Sequence, residues 1–314
     1  MPLPVELFRS LRRTALLRGL SLLGERRRRI LAWQAMAAAG VQLATFSRNG
    51  LTWRAPVGDS HIGFGLFVEG GFAQASIDLL VAWLRARGRT LGGADVIVDV
   101  GANIGSTCIP IVRAAGCRAV AIEPEPGVFA LLRENVERNG LADRCILIDA
   151  AVAVTGGQVT MTLGTDIGAA SVVSEMPGRP ASSIRGSRFD VRALPLGDAI
   201  SGAGVHPSEV ALVWADVQGS EAAVIETGEA LWSLGVPLWA EFEPGLLTMH
   251  GGVERFYTAA SRSFDRFIEA RRLFAEGLEA APQDISRLRE VLDLTPQQTD
   301  VLLLPPTFDH GRAI

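Results

Sequence analysis

The stretch "VIVDVGANIGSTCIP", Val96 to Pro110, decides the fold. The run Val96–Val100 carries β-branched residues on both sides of Asp99, as a strand buried on both faces of a parallel sheet does. A glycine loop follows, and after it an apolar segment with helical spacing. Strand, glycine loop and helix are how an open parallel sheet presents a ligand at the carboxyl end of a strand. Gly101 lets backbone approach the ligand closely, and Gly105 permits the turn into the helix.

Neither common nucleotide fingerprint fits this loop. A P-loop ends in GK[ST], and the chain has no lysine: all 30 basic residues are Arg. A dinucleotide loop usually reads G-x-G-x-x-G, and here the second glycine is Asn103. Asp99, just before the loop, suits a cation such as an ammonium or a sulfonium better than a phosphate. Glu123 ends "AVAIE", 22 residues after Gly101, where a carboxylate holds ribose hydroxyls. That position serves NAD and S-adenosylmethionine equally. Asp149 ends "ILIDAAV", where an adenine amino group could be held. Three acids at three consecutive strand ends favour S-adenosylmethionine over NAD. The plainer reading is that each acid caps a helix or is a solvated strand end.

Outward from this stretch, short apolar runs alternate with helical patterns. The strand candidates are "DVIVDV", "RAVAIE", "CILIDAAV", "EVALVWADV" and "VPLWAEFE", with "SFDRFIEARR" and "DVLLLPP" in the tail. Between them "EPGVFALLRENVERNG" starts at a proline, shares Phe129, Leu132 and Val136 on one face, and stops at Gly140. This rhythm predicts an α/β fold with a mostly parallel sheet covered by helices on both faces. Residues 164–190 are rich in Gly, Ser and Pro without sustained period. Loops this long are usually functional or disordered, and this one is a candidate lid. Residues 1–92 read as a helical accessory segment, leaving 93–314 as the main domain.

The bulk composition excludes several classes. A formal net charge of -4 argues against a dedicated nucleic-acid binder, which carries a basic stripe. Three cysteines, Cys108, Cys117 and Cys145, without C-x-x-C spacing argue against a disulfide frame or structural zinc. They read as buried thiols in a reducing, cytoplasmic setting. No A-x-A site follows an apolar N-terminal core, so no cleavable signal is expected. In "RRRRILAWQAMAAAGVQLATF" four arginines precede 17 uncharged residues, Ile30 to Phe46, the lower limit of the roughly 17–25 that span a bilayer. Gln34, Gly40, Gln42 and Thr45 dilute it, and a packed helix is expected. The arginines suit either an anionic membrane surface or a solvated helix face, and the second is preferred.

Three segments, "VDVGANIGSTCIPIV", "AIEPEPGVFALLRENVERNG" and "WADVQGSEAAVIETGEALW", resemble the FkbM family of S-adenosylmethionine-dependent methyltransferases. The resemblance covers about Val96 to Glu243. It implies a Rossmann-like class I methyltransferase fold with a seven-stranded sheet and an N-terminal helical extension. It further implies O-methylation of a hydroxyl on a sugar or small secondary metabolite, a biosynthetic role. Carried over by residue, Asp99, Gly101, Ala102, Asn103 and Gly105 line the methionine side of the cofactor. Glu123 and Pro124 hold the ribose, and Asp149 and Ala150 border the adenine. Asp216, Gly219 and Glu221 match a D-V-E-G-A-E segment, but Gln218 stands where that segment has Glu. Any charge-dependent role at 218 is therefore in question.

Methyl transfer to a hydroxyl depends on alignment and on a group that takes the proton. Asp216 follows "LVWA" directly and serves both as cofactor neighbour and as catalytic candidate. Glu241 and Glu243 share a face of "PLWAEFE" because side chains two apart on a strand point the same way. Glu243 is the catalytic candidate of the two, and His250 in its Gly-flanked loop is a third. Oxygen ligands such as Asp216 and Glu243 are also compatible with Mg2+, which keeps several waters and uses few carboxylates, a weaker expectation than the cofactor. Expected partners are a small-molecule acceptor and a second copy of the chain, not nucleic acid. Two rival readings remain: a cofactor-binding scaffold without turnover, and an NAD(P)-dependent oxidoreductase. The second lacks Y-x-x-x-K, since Tyr257 is the one tyrosine and there is no lysine.

Overall fold

The computed structural model describes residues 24–162, 171–172, 188–294 and 298–309. Contacts divide the chain into two compact units, Met1–Phe72 and Ala73–Ile314. The division falls earlier than the expected 92, because helix Gln74–Ala86 packs into the second unit. Its Trp83 is fully buried there and donates its indole N–H to the Ala280 carbonyl at 3.0 Å. The leucine-spaced segment 5–23 lies outside the described residues.

In the first unit the uncharged run Ile30–Phe46 is not one helix. Helix Glu25–Ala38 stops at Gly40, whose φ of 76° closes a left-handed cap. Gly40 N–H donates to Ala37 O and Val41 N–H to Met36 O, both at 3.0 Å. Strands β1 (Leu43–Arg48) and β2 (Leu51–Pro56) then pair antiparallel. Their turn is Asn49-Gly50 with positive φ at both residues, the mirror-image turn whose twist matches a hairpin. The helix buries one residue, Trp33, whose ring meets Phe46 edge-on at 6.4 Å and Phe67 at 5.3 Å. Among the described residues no single helix is long and apolar enough to cross a membrane.

The second unit is built on β3 (Val96–Val100), β4 (Arg118–Ile122), β5 (Cys145–Ile148), β10 (Val210–Ala215), β11 (Leu238–Phe242), β12 (Arg266–Glu269), β13 (Gln283–Asp284) and β14 (Thr299–Leu304). They form one sheet in the order β13-β12-β14-β11-β10-β3-β4-β5. The strands from β11 to β5 run parallel, and β14 runs antiparallel between β11 and β12. The expected seven strands are present, and the eighth, β13, is a two-residue edge. The chain winds from β3 outward to β5 and returns beside β3 with β10. Strand order therefore reverses next to the Gly101 loop, the place where such sheets bind ligands.

"CILIDAAV" is not one strand. It breaks at Asp149-Ala150, and β6 (Ala151–Val152) joins a second sheet with β7 (Gly157–Thr162), β8 (Ser171–Val172) and β9 (Arg188–Leu194), in the order β6-β9-β7-β8. Of the candidate lid, 164–170 and 173–187 lie outside the described residues, while 171–172 and 188–190 are strand rather than loop.

Register fixes which side chains share a face. Asp99 is level with Trp214 and Ala121, and Trp214 with Trp239, which is level with Leu302. The opposite face holds the large apolar core: Val96, Val98, Val100, Val120, Ile122, Val213, Ala215, Leu238, Ala240, Phe242, Val301 and Leu303. A bulge makes this phasing work. Val210 is level with Val96 but Leu212 with Ile97, so Ala211 is one extra residue in β10.

Candidate active site

Alternation along each strand places Asp99, Glu123, Asp149, Asp216, Glu241, Glu243 and Asp300 on the face opposite the apolar core, at or just past the carboxyl edge of the parallel strands. The glycine loop crosses this edge. Gly101 has φ 81°, and a Cβ there would lie 1.9 Å from the Asp216 carbonyl oxygen. The N–H groups of Gly101 and Ala102 both donate to Ile122 O at 3.0 Å. Asn103 sits at φ 51°, a left-handed conformation that asparagine tolerates better than most residues. Gly105 has φ 91°, and a Cβ there would meet Ile109 Cδ1 at 2.5 Å.

Helix Pro126–Arg138 braces the loop from behind. Asn135 is fully buried and donates to Ile104 O at 2.9 Å. Asn135→Ala orphans that carbonyl, so a loss of about 1–3 kcal/mol is expected in urea unfolding. A stability within a few tenths of a kcal/mol of the native value would mean the brace is dispensable.

Asp99 is buried and its Oδ2 accepts the Cys108 N–H at 3.0 Å. It thus caps helix Cys108–Ala115, whose N-cap residue Thr107 provides no side-chain cap. The plainer reading of Asp99 is correct in this respect. Burial pushes it up to about 7 against the lowering pull of Cys108, with Asp216 adding to the rise. Glu123 is buried too. Its Oε1 accepts the Glu125 N–H at 2.9 Å and its Oε2 the Asn103 N–H at 3.0 Å. Burial still raises it to about 7. Each oxygen keeps a lone pair, so this carboxylate is rigidly held and able to accept further hydrogen bonds. Pro124 beside it is half-buried, Asp149 is exposed and Ala150 is buried.

Asp216 lies at the centre of a denser group. Gln218 donates through Nε2 to Asp216 Oδ1 at 3.0 Å and to Glu241 Oε2 at 3.3 Å. Gln298 donates to Glu241 Oε1, and the Asp216 and Glu241 carboxyls meet at the Gln218 amide nitrogen. Asp300 is level with Glu241 on the adjacent strand. Gln218 has φ 53°, a strained conformation for a residue of its size. The amide at 218 supplies donors where a glutamate would add another negative charge. Burial, then the charges of Asp216 and Glu221, push Glu241 up to about 10. Burial and Asp216 raise Asp300 to about 7.

Glu221 closes the loop. Its Oε1 accepts the N–H groups of Val217 at 3.1 Å and Gly219 at 3.2 Å, and its Oε2 has no partner although the residue is 1% exposed. His250 is 6% exposed, its Nε2 has no partner, and its Cδ2 would lie 2.7 Å from a Cβ on Gly219. Burial and the nearby Arg255 lower its pKa, so its ring is neutral at pH 7. Glu243 is half-buried at the N-cap of helix Pro244–Leu247 and makes no capping bond.

The site therefore differs in emphasis from the sequence reading. The partner of Asp216 is Glu241, not Glu243, because Glu241 is within the strand and level with Asp300. Asp300 and Gln298 went unnoticed. The signal for Asp300 was the same alternation that marked Glu241, read on the tail strand "TDVLLL". Among the described residues no group of three or more His, Cys, Asp or Glu is arranged to hold a metal ion.

The model of the methyltransferase FkbM domain matches residues 99–297. The chain is 31% identical over 144 residues to the 2-O-methyltransferase NoeI of Sinorhizobium fredii (strain NBRC 101917 / NGR234), covering 43% of this chain and 57% of that protein. The match thus spans little more than half of that relative's length. Among solved structures, P. horikoshii TYW2 in complex with MeSAdo aligns with a TM-score of 0.40 at 13% identity, covering 89% of this chain and 81% of that one. A putative O-methyltransferase from Klebsiella pneumoniae aligns with a TM-score of 0.38 at 10% identity, covering 74% and 80%.

Proposed function

Because the chain belongs to the FkbM methyltransferase family, we propose that it transfers a methyl group from S-adenosylmethionine to a hydroxyl of a sugar or other small metabolite. The observation that carries this reading is Glu123: a buried carboxylate, fixed by two backbone N–H groups, beside a glycine loop at the point where strand order reverses. That donor set fits a ribose, whose two hydroxyls would meet the free lone pairs of Glu123. The hydroxyl as acceptor is supported by the printed activity of the relative, a 2-O-methyltransferase.

S-adenosylmethionine, when bound, supplies a methyl carbon on a positively charged sulfur. Gly101, Ala102, Asn103 and Gly105 line its amino-acid end with backbone, and no Cβ fits at either glycine. Asp99 holds the N-terminus of helix Cys108–Ala115 and lends the loop negative potential. Asp149, which is exposed, and Ala150, which is buried, would border the base. Asp216, packed beside Gly101 at the same strand edge, would take the proton of an incoming hydroxyl. His250, neutral and with a free ring nitrogen, and Glu243 flank the acceptor side.

Calorimetric titration with S-adenosylhomocysteine tests the reading. Native protein is expected to bind, and Glu123→Ala to bind roughly 10- to 100-fold more weakly, about 1.4–2.8 kcal/mol. Binding of NAD in its place, or an unchanged affinity in the variant, would overturn it.

A further inference from the structure

We propose that Asp216 and Glu241 share one proton in the free protein and release it when a positively charged methyl donor binds, but not when its neutral thioether product binds. A proton acceptor is then present only while there is a methyl group to transfer. The inference rests on the function proposed above and adds a positioning residue, Glu241, and a timing device to it.

The geometry comes first. Two buried carboxyl groups held against one amide nitrogen repel when both are ionised, and a proton shared between them relieves that repulsion. The Gln218 amide nitrogen donates to Asp216 at 3.0 Å and to Glu241 at 3.3 Å, which holds the two carboxyls side by side. Gln298 fixes the other oxygen of Glu241. The pair is thus oriented by neutral donors, not neutralised by a cation.

Acidic groups face the pair from the surrounding elements. Glu221 approaches from helix Glu221–Thr227 and Asp300 from β14. Asp99 on β3 faces Asp216. Glu269 of β12 acts on Asp300, and its own charge is met by Arg271 at 2.7 Å. The raised positions of Glu241, Asp300 and Glu221 agree with a proton retained near neutrality.

Two further atoms point to a ligand on this side. Glu221 Oε2 and His250 Nε2 are buried, unpartnered and on residues packed against Gly219. Buried polar atoms without partners are rare and costly, and a bound molecule would satisfy them.

The site is also adjacent to the loop that holds the methyl donor in the proposed function. Gly101 packs directly on the Asp216 backbone. A cation within about 4–6 Å favours the ionised form of a carboxyl by roughly ten- to thousandfold. With a positively charged sulfur held at this loop, the pair would give its proton to solvent. It regains one from the acceptor hydroxyl as that oxygen gains the methyl, and the electrons of the broken carbon–sulfur bond stay on sulfur. Loss of the positive charge then keeps the new proton on the pair. Asp216 faces the hydroxyl, and Glu241 acts through Asp216.

Calorimetry at about pH 8, between the ordinary and the raised carboxyl values, in two buffers of different ionisation enthalpy and with a chelator present, counts the protons released. Native protein is expected to release about half to one proton more with S-adenosylmethionine than with S-adenosylhomocysteine. In Glu241→Gln that difference vanishes. Infrared spectroscopy of the native protein is independent of any variant. A carboxylic-acid band is expected in the free protein, lost with S-adenosylmethionine and kept with S-adenosylhomocysteine. Equal proton counts for the two ligands, or no such band in the free protein, overturn the proposal and leave the proposed function standing. Failure of both ligands to bind overturns the two together.

Discussion

Gly101→Ala is expected to destabilise the protein by about 3–5 kcal/mol and to abolish binding of S-adenosylhomocysteine. The new Cβ would sit 1.9 Å from the Asp216 carbonyl oxygen and 2.9 Å from its carbon. Both are backbone atoms, and Asp216 N–H is itself bonded to Val100 O at 3.0 Å. Neither side can rotate away, so β3 and β10 must part where they are paired. The φ of 81° adds about 1–2 kcal/mol for a residue with a side chain. Gly140→Ala is the control: its φ is 67°, but nothing lies within 4 Å of the added atom. It should cost only the conformational part, about 1–2 kcal/mol. Urea unfolding of the two variants separates steric from conformational cost. A Gly101 variant no worse than the Gly140 variant would show that the loop and the Asp216 backbone are not in contact.

Stability is expected to fall as pH rises from 7 to 9, and Glu241→Gln to flatten that fall. The ordinary value for Glu241 is 4.5, and in the folded chain burial and neighbouring acids raise it to about 10. Below 4.5 both states hold the proton and nothing is lost. Above it the folded state keeps a proton that the unfolded chain has released, so stability declines until about 10. One such proton gives a slope of about 1.4 kcal/mol per pH unit. Asp99, Glu123, Glu221 and Asp300, each near 7, act in the same direction but mostly below this window. His250, lowered from 6.5, acts oppositely and below it. The thiols of Cys117 and Cys145, raised from 9.0, enter above it. Urea titrations at pH 7, 8 and 9 measure the slope, and a variant as steep as the native chain would mean that Glu241 does not hold the proton.

The fold was legible because its signals are local. Glycines 101 and 105, the alternating apolar runs and the Pro126–Gly140 helix each specify an element without help from distant residues. The cap at Gly40, inside the uncharged run Ile30–Phe46, and the Asn49-Gly50 turn just beyond it are equally local. The site was legible only in part. Asp99, Glu123 and Asp216 stand at strand ends that the motifs mark. Glu241 is paired with Asp216 through Gln218, and Asp300 reaches the group by an antiparallel pairing from the far end of the chain. Such a pairing follows from sheet order, which no single segment encodes. Gln218 looked like a loss of charge in the motif. In the folded chain it is the donor that two crowded acids require.

The extra residue Ala211 in β10 has a consequence for how this sheet can vary. Strand faces are a matter of odd and even, so the acids reach the ligand edge only while the count from the core to Asp216 keeps its parity. Deleting one residue between Leu212 and Ala215 would turn Asp216 toward the packed aliphatic layer, whereas deleting Ala211 itself would leave Val210 level with Val96 and Leu212 with Ile97. Deleting two would shorten the strand but preserve the assignment of sides. Length changes between Leu212 and Asp216 are therefore tolerated in pairs or not at all, whereas the bulge at Ala211 and the loops beyond the edge are free of that arithmetic.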